Sequence, residues 1–235
     1  MKRWERLIVI TSGALISLAL ASSLRTGRPD QIAAAVSGLA SLFVPPLVRR
    51  AYPSPGRGAW PWVSPFYSDG IYTLFSIFIA AHITFIEVPF LNLDLYNGTW
   101  GYADVPSHFL GGLVTWLIFN EVVVEASRTY GLDWSSKRIV GISFSALLFV
   151  GVLWEILEVF LQPEMPWLQE SLTNKIQDIS MEVLGFLTGL WFIDRFEYPY
   201  PLPPSRPVGN SRKETGGSKL PAHRPDEVEK ELCRC

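Results

Sequence analysis

Cysteine is nearly absent from this chain of 235 residues: it has two, Cys233 and Cys235, both at the C-terminal edge. They cannot staple a fold, and two thiols alone make a poor structural zinc site. A terminal Cys-x-Cys can serve as a prenylation signal, but a chain that already crosses a membrane several times gains little from a lipid anchor. The pair reads instead as part of a solvated tail. Charge is also scarce. Only 18% of the residues are charged and the formal net charge is −2, so no basic field invites a nucleic acid. There is no Gly-x-Ser-x-Gly elbow, no His-Glu-x-x-His helix and no P-loop, which removes the familiar serine-hydrolase, zinc-protease and nucleotide-driven machines. No apolar stretch alternates with a period of two, which excludes barrel strands, and no internal repeat stands out.

What the chain does have is apolar length. With 49% hydrophobic and 13% aromatic residues it falls in the membrane class. Crossing the hydrocarbon takes roughly 20 apolar residues in a helix. Such stretches run near Leu7–Leu24, Gln31–Val48, Gly70–Leu91, Val105–Val124, Ile139–Leu161 and Ile176–Ile193. The expected fold is all-α: a polytopic integral membrane protein with a single bundle of about six transmembrane helices over residues 1–195. Lys2, Arg3 and Arg6 before a short apolar run, then Ala19-Leu20-Ala21, also fit a cleavable signal peptide. A second apolar segment follows after only a short turn, which favours a retained helical hairpin.

Basic residues between the spans set the orientation. Lys2, Arg3 and Arg6 precede the first span, Arg49, Arg50 and Arg57 lie in the second connection, and Arg128, Lys137 and Arg138 in the fourth. The opposite side has Arg25 and Arg28 in the first turn, none in the third connection, and Lys175 in the fifth. Both termini are therefore expected in the cytoplasm and the protein in the plasma membrane. Aromatic residues mark the water boundaries, with Trp60, Trp62, Tyr67 and Tyr72 toward the inner face and Tyr96, Trp100, Tyr102 and Trp167 toward the outer one. Residues 196–235 are Pro-rich and then mixed in charge, and are expected to form a disordered cytoplasmic tail. Pro45-Pro46 and Pro89 are expected to end spans rather than interrupt them.

Ionisable groups inside spans are expensive, so they mark function by default. With the orientation above, His108 lies about one turn inside the fourth span, after Asp104 as a candidate N-cap and Pro106 in the first turn. Glu155 and Glu158 close the fifth span; Asp178 and Glu182 open the sixth. All share the outer third of the bilayer, with Glu87 at similar depth and His82 nearer the midplane. Glu155 and Glu158 are i, i+3, and Asp178 and Glu182 are i, i+4, so each pair shares a helical face. Gly111 and Gly112 leave room beside His108, and Gly185 and Gly189 form a small-xxx-small pair that permits close helix packing. Glu121 and Glu125, with Arg128, are expected to form a salt-bridged cytoplasmic face about 20 Å from His108.

Four carboxylates cannot all remain ionised together in a low-dielectric pocket unless a cation neutralises them; otherwise they share protons. Acid pairs on facing helices with a histidine suit a divalent metal ion. The candidate ligands are His108, Glu155, Glu158, Asp178 and Glu182, with His82 and Glu87 near enough to support them. The leading expectation is a metal-dependent membrane enzyme, a hydrolase or transferase acting on a lipid or envelope precursor. The alternatives are a proton- or cation-coupled carrier and a non-catalytic membrane protein with a structural ion site. Membrane lipids are the expected partners, with no nucleic acid and no nucleotide site.

His108-Phe109-Leu110-Gly111-Gly112, Trp154-Glu155-Ile156-Leu157-Glu158, and Asp178 followed by Gly185 and Gly189 resemble the signature of the YjdF-like inner-membrane proteins. The last helix is also similar to that of VanZ-like proteins. The resemblance covers Ile71 to Ile193 and implies a fold and a site but no activity. It also implies departures. Asn174 stands at the family's acidic position four before Asp178, and Tyr102-Ala103-Asp104 lacks the family's arginine. Glu182 replaces an Asn of the VanZ-like pattern. The resemblance thus implies a ligand set shifted by one turn, with Glu182 in place of the acid lost at Asn174 and Asn174 as a supporting residue.

Overall fold

The computed structural model describes residues 1–87, 105–161 and 171–195, and among them there is no strand. Among these residues six helical segments are long and apolar enough to cross a membrane, the third of them, Asp69–Ile86, only when its π-helical continuation is counted. The helices are α1 (Arg3–Thr26), α2 (Pro29–Ala51), α4 (Asp69–His82), α5 (Val105–Tyr130), α6 (Ser136–Leu161) and α7 (Leu172–Arg195). The short α3 (Trp60–Val63) and a 3-10 turn, Ser64–Tyr67, link α2 to α4. A π-helical turn, Ile83–Glu87, carries α4 onward. Several expectations fall outside the described residues: Pro89, Tyr96, Trp100, Tyr102, Asp104, Trp167 and the tail 196–235 with its two cysteines.

The first two spans pack against each other as a helical hairpin. Gly27 ends α1 with φ 67, and its N–H donates to the Ser23 carbonyl, a left-handed cap that glycine adopts without strain. Pro29 then starts α2 at a position where a missing N–H costs nothing. Pro45-Pro46 does not end α2, which runs on to Ala51. A proline at 46 cannot donate to the carbonyl four residues back, at Leu42. The Tyr72 hydroxyl of α4 donates to that carbonyl at 2.8 Å, replacing the lost bond from a neighbouring helix.

Two apolar clusters build the bundle. Ile16 and Ala19 of α1, Ala35 and Leu42 of α2, and Ala80 and Ile83 join the first three spans. Ile71, Trp116, Leu117, Leu147 and Phe186 join α4, α5, α6 and α7 around the middle of α5. Within this apolar layer the Trp116 indole N–H donates to Ser143 Oγ at 3.1 Å, so no donor is wasted. Leu7, Ile10, Leu18, Phe149, Leu153, Phe160, Ile176 and Trp191 are exposed. That belt would be an aggregation surface in water; facing acyl chains it is the solvated surface.

Alternating directions gather the termini. Arg49 at the end of α2 donates to Asp69 Oδ1 at the start of α4, at 2.7 Å, and Trp60 of α3 reaches Glu125 near the end of α5. At the other end of the bundle α5 and α7 begin and α6 finishes.

The Arg49 end departs from expectation in one respect. Glu125 pairs with Arg128 at 3.0 Å, but Glu121 and Glu125 are each only 2% exposed, so they do not make a solvated face. The connection between α2 and α4 folds over them. Trp60 buries its ring there, 5.4 Å from Tyr67, and its indole N–H donates to Glu125 Oε2 at 2.5 Å. Arg57 donates twice to the Thr129 carbonyl, at 3.1 and 2.8 Å, satisfying the C-terminus of α5. Trp60, Tyr67 and Tyr72 are therefore packing residues, and of the aromatics expected at this boundary Trp62 is the exposed one.

Candidate metal centre

The site lies where α5, α6 and α7 meet, and glycine makes that meeting possible. A Cβ on Gly112 of α5 would overlap the backbone of Glu182, and one on Gly185 of α7 would overlap the Phe109 carbonyl. The two helices thus cross backbone to backbone, the contact that small residues allow in membranes. Gly189 continues it against Leu113 and Trp116. This crossing sets His108, on the first turn of α5, beside the first turns of α7.

His108 lies between two acids of α7. Its Nδ1 is 3.5 Å from Glu182 Oε1, and its Nε2 is 3.9 Å from Asp178 Oδ1. Asn174, one turn before Asp178, donates from Nδ2 to Asp178 Oδ2 at 3.1 Å. Asp178 is wholly buried, although it stands only about two turns into α7. Glu155 comes from the facing side of α6. Ligand atoms of His108, Glu155 and Asp178 all lie within 4.8 Å of one another, so this group could hold a metal ion. The donor chemistry fits, with two carboxylates and one imidazole, which suits divalent ions from magnesium to zinc. Orphaned atoms point the same way. Glu155 Oε1 and Glu182 Oε2 are buried with no hydrogen-bond partner, a costly state for a carboxylate oxygen.

Two residues of the site escaped the sequence reading. Lys175 is not a loop cation: it lies on the first turn of α7, buried. Its Nζ donates to Glu155 Oε2 and to Glu158 Oε2, both at 3.0 Å. Glu158 thus joins the cluster through Lys175. The signal was available, since Lys175 precedes Asp178 by three residues and so shares its face. Gly151, four residues before Glu155 on α6, is the second. A Cβ there would strike Glu182 Oε2, so the missing side chain is what lets the Glu182 carboxylate reach across to α6.

Of the supporting residues, Asn174 touches the cluster directly. His82 acts from farther away: its Nδ1 shares a hydrogen bond of 2.8 Å with Ser107 Oγ, the residue before His108. It ties the end of α4 to the first turn of α5, just where the π-helical turn begins. The Glu87 side chain lies outside the described residues.

No curated protein and no solved structure matches this chain. A family model does match, over residues 7–197, and that stretch includes all the spans but the first four residues of the first, and every residue of the cluster. Six apolar helices and that match agree, and the chain belongs to the family described as predicted membrane protein (DUF2238).

Proposed function

We propose that the protein is a metal-dependent membrane enzyme, a hydrolase or transferase that works on a lipid or envelope precursor from the outer leaflet. The observation that carries this is the approach of His108, Glu155 and Asp178 to within 4.8 Å, with the buried Glu155 Oε1 bonded to nothing. A divalent ion held there supplies a Lewis acid able to polarise a phosphoryl or carbonyl oxygen. The chain supplies the rest. Glu182 beside Nδ1 orients the imidazole and leaves Nε2 toward Asp178, as a carboxylate does behind a metal-binding histidine. Asn174 fixes one oxygen of Asp178. Glu182 Oε2 is the atom placed to accept a proton.

The orientation belongs to the same reading. Arg49, Arg50, Arg57, Lys137 and Arg138 gather at the end opposite the site, which supports cytoplasmic termini and an outward-facing cluster in the plasma membrane. The likeness of the α5–α7 motifs to YjdF-like proteins, and of the last helix to VanZ-like ones, is part of the proposal too.

Metal analysis of detergent-purified protein tests it. The wild type is expected to hold a divalent ion that Glu155→Ala and Asp178→Ala both lose. Chelation is expected to lower wild-type stability by about 2.7 kcal/mol if the free ion stands near a hundred times its Kd, and to leave both variants unchanged. A metal-free wild type whose unfolding ignores chelator removes the enzyme reading. That result would favour a proton- or cation-coupled carrier, which has one observation of its own. Glu121 and Glu125 are buried at the opposite end of the same helix α5, with the Trp116 and Phe186 layer between the two acid clusters.

A further inference from the structure

Lys175 is nearly as buried as the acids around it. A buried ammonium is costly unless it is fully paired, and this one is clamped between the two acids that α6 presents at i and i+3. An ammonium is a compact point charge with turning donors, so it can stand between two carboxylates much as a small metal cation does. Glu155 divides itself accordingly. Its Oε2 accepts from Lys175, while Oε1 accepts from nothing and the residue lies within ligand distance of His108 and Asp178. One carboxylate therefore borders two cation positions, and one of the two is filled by a side chain.

We propose that Lys175 is a tethered second cation. It occupies the Glu155–Glu158 half of what would otherwise be a two-ion centre, limits the centre to one divalent ion, and holds Glu155 turned to serve both halves. This rests on the reading that His108, Glu155 and Asp178 hold an ion. A salt bridge that merely pins α6 to α7 would affect stability when removed but not the number of ions bound.

Equilibrium dialysis of the detergent-purified full chain against Mn²⁺ counts the ions. We expect one per chain in the wild type, one in Lys175→Arg, and two in Lys175→Met, whose unbranched side chain is one atom shorter and loses the charge. One ion in Lys175→Met at wild-type affinity overturns the proposal, and so does none. No ion in the wild type but one in Lys175→Met would remove the resident-metal reading and overturn the two-position proposal with it, showing a single position filled by Lys175. No ion in either removes both. Should Lys175→Met not fold, Lys175→Met/Glu158→Gln restores the charge balance and is expected to be recovered with one ion. Failure of that double variant beside a well-folded Lys175→Arg would show that the lysine acts by packing, and the proposal falls.

Discussion

Three glycines on α5 and α6 should respond to the same substitution in three different ways. Replacing glycine by alanine inside a helix ordinarily gains about 0.5–1 kcal/mol, because the unfolded glycine is the freer chain. Gly141 has open space where a Cβ would go, so Gly141→Ala is expected to show that gain undiminished. At Gly112 the new carbon meets the carbonyl, Cα and carbonyl carbon of Glu182, and backbone cannot rotate away. The helices must separate, and overpacking of this kind costs about 1–3 kcal/mol. Set against the propensity gain, Gly112→Ala should be destabilised by up to about 2.5 kcal/mol. At Gly151 the obstacle is the tip of the Glu182 side chain, which can swing aside. With chelator present, Gly151→Ala should stay within about 1 kcal/mol of the wild type; without it, the variant should lose the His108–Glu182 approach, and with it most of the chelator-sensitive stability. Unfolding of the four proteins in one detergent, with and without chelator, reads both quantities. Gly112→Ala as stable as Gly141→Ala would refute the backbone crossing of α5 and α7. A chelator response in Gly151→Ala equal to that of wild type would refute the role given to Glu182.

Two further outcomes follow from the fold and the orientation. Tyr72→Phe removes the donor that satisfies the Leu42 carbonyl, and should cost about 0.5–1.5 kcal/mol in unfolding; a silent substitution would mean that α2 tolerates its two prolines by other means. In a Cys233→Ser/Cys235→Ser background, Thr26→Cys should react with an impermeant thiol reagent in intact cells and Ser54→Cys only after permeabilisation; the reverse pattern would put the cluster on the cytoplasmic side.

The helices were legible in the sequence because the bilayer leaves so few options. An apolar run of that length must satisfy its own backbone, so each of the six stretches marks a helix, whatever its neighbours do. What stayed hidden depends on contacts between segments. Pro45-Pro46 reads as a terminus by local rules, yet α2 continues because Tyr72, far along the chain, supplies the missing donor. The π-helical turn at Ile83–Glu87 has no periodic signature; its apolar residues would suit an ordinary helix equally well. Glu121 and Glu125 have the same i, i+4 spacing as Asp178 and Glu182. Contacts from other segments decide their burial: the connection that carries Trp60 packs on this end of α5 and reaches Glu125, and both acids are buried rather than solvated.

The site divides along the same line. Spacing within one helix states which side chains share a face, and depth within a span states which end they reach; together these place His108 with the acids of α6 and α7. Neither says which side chain of one helix will meet a given partner on another. That information came through only where small residues named the neighbour, as Gly112 and Gly185 do for α5 against α7. Between α6 and α7 no such pair is present near Glu155 in the sequence, and the joining residue is a lysine, the residue type that topology rules assign to loops. Its position was nonetheless decidable by energy. An ammonium three residues before Asp178 shares the face of an acid in a low-dielectric site, where leaving it would strand Glu155 and Glu158 without a counter-charge. A basic residue within one turn of an intramembrane acid is therefore better weighed first as that acid's partner, and only afterwards as evidence of orientation.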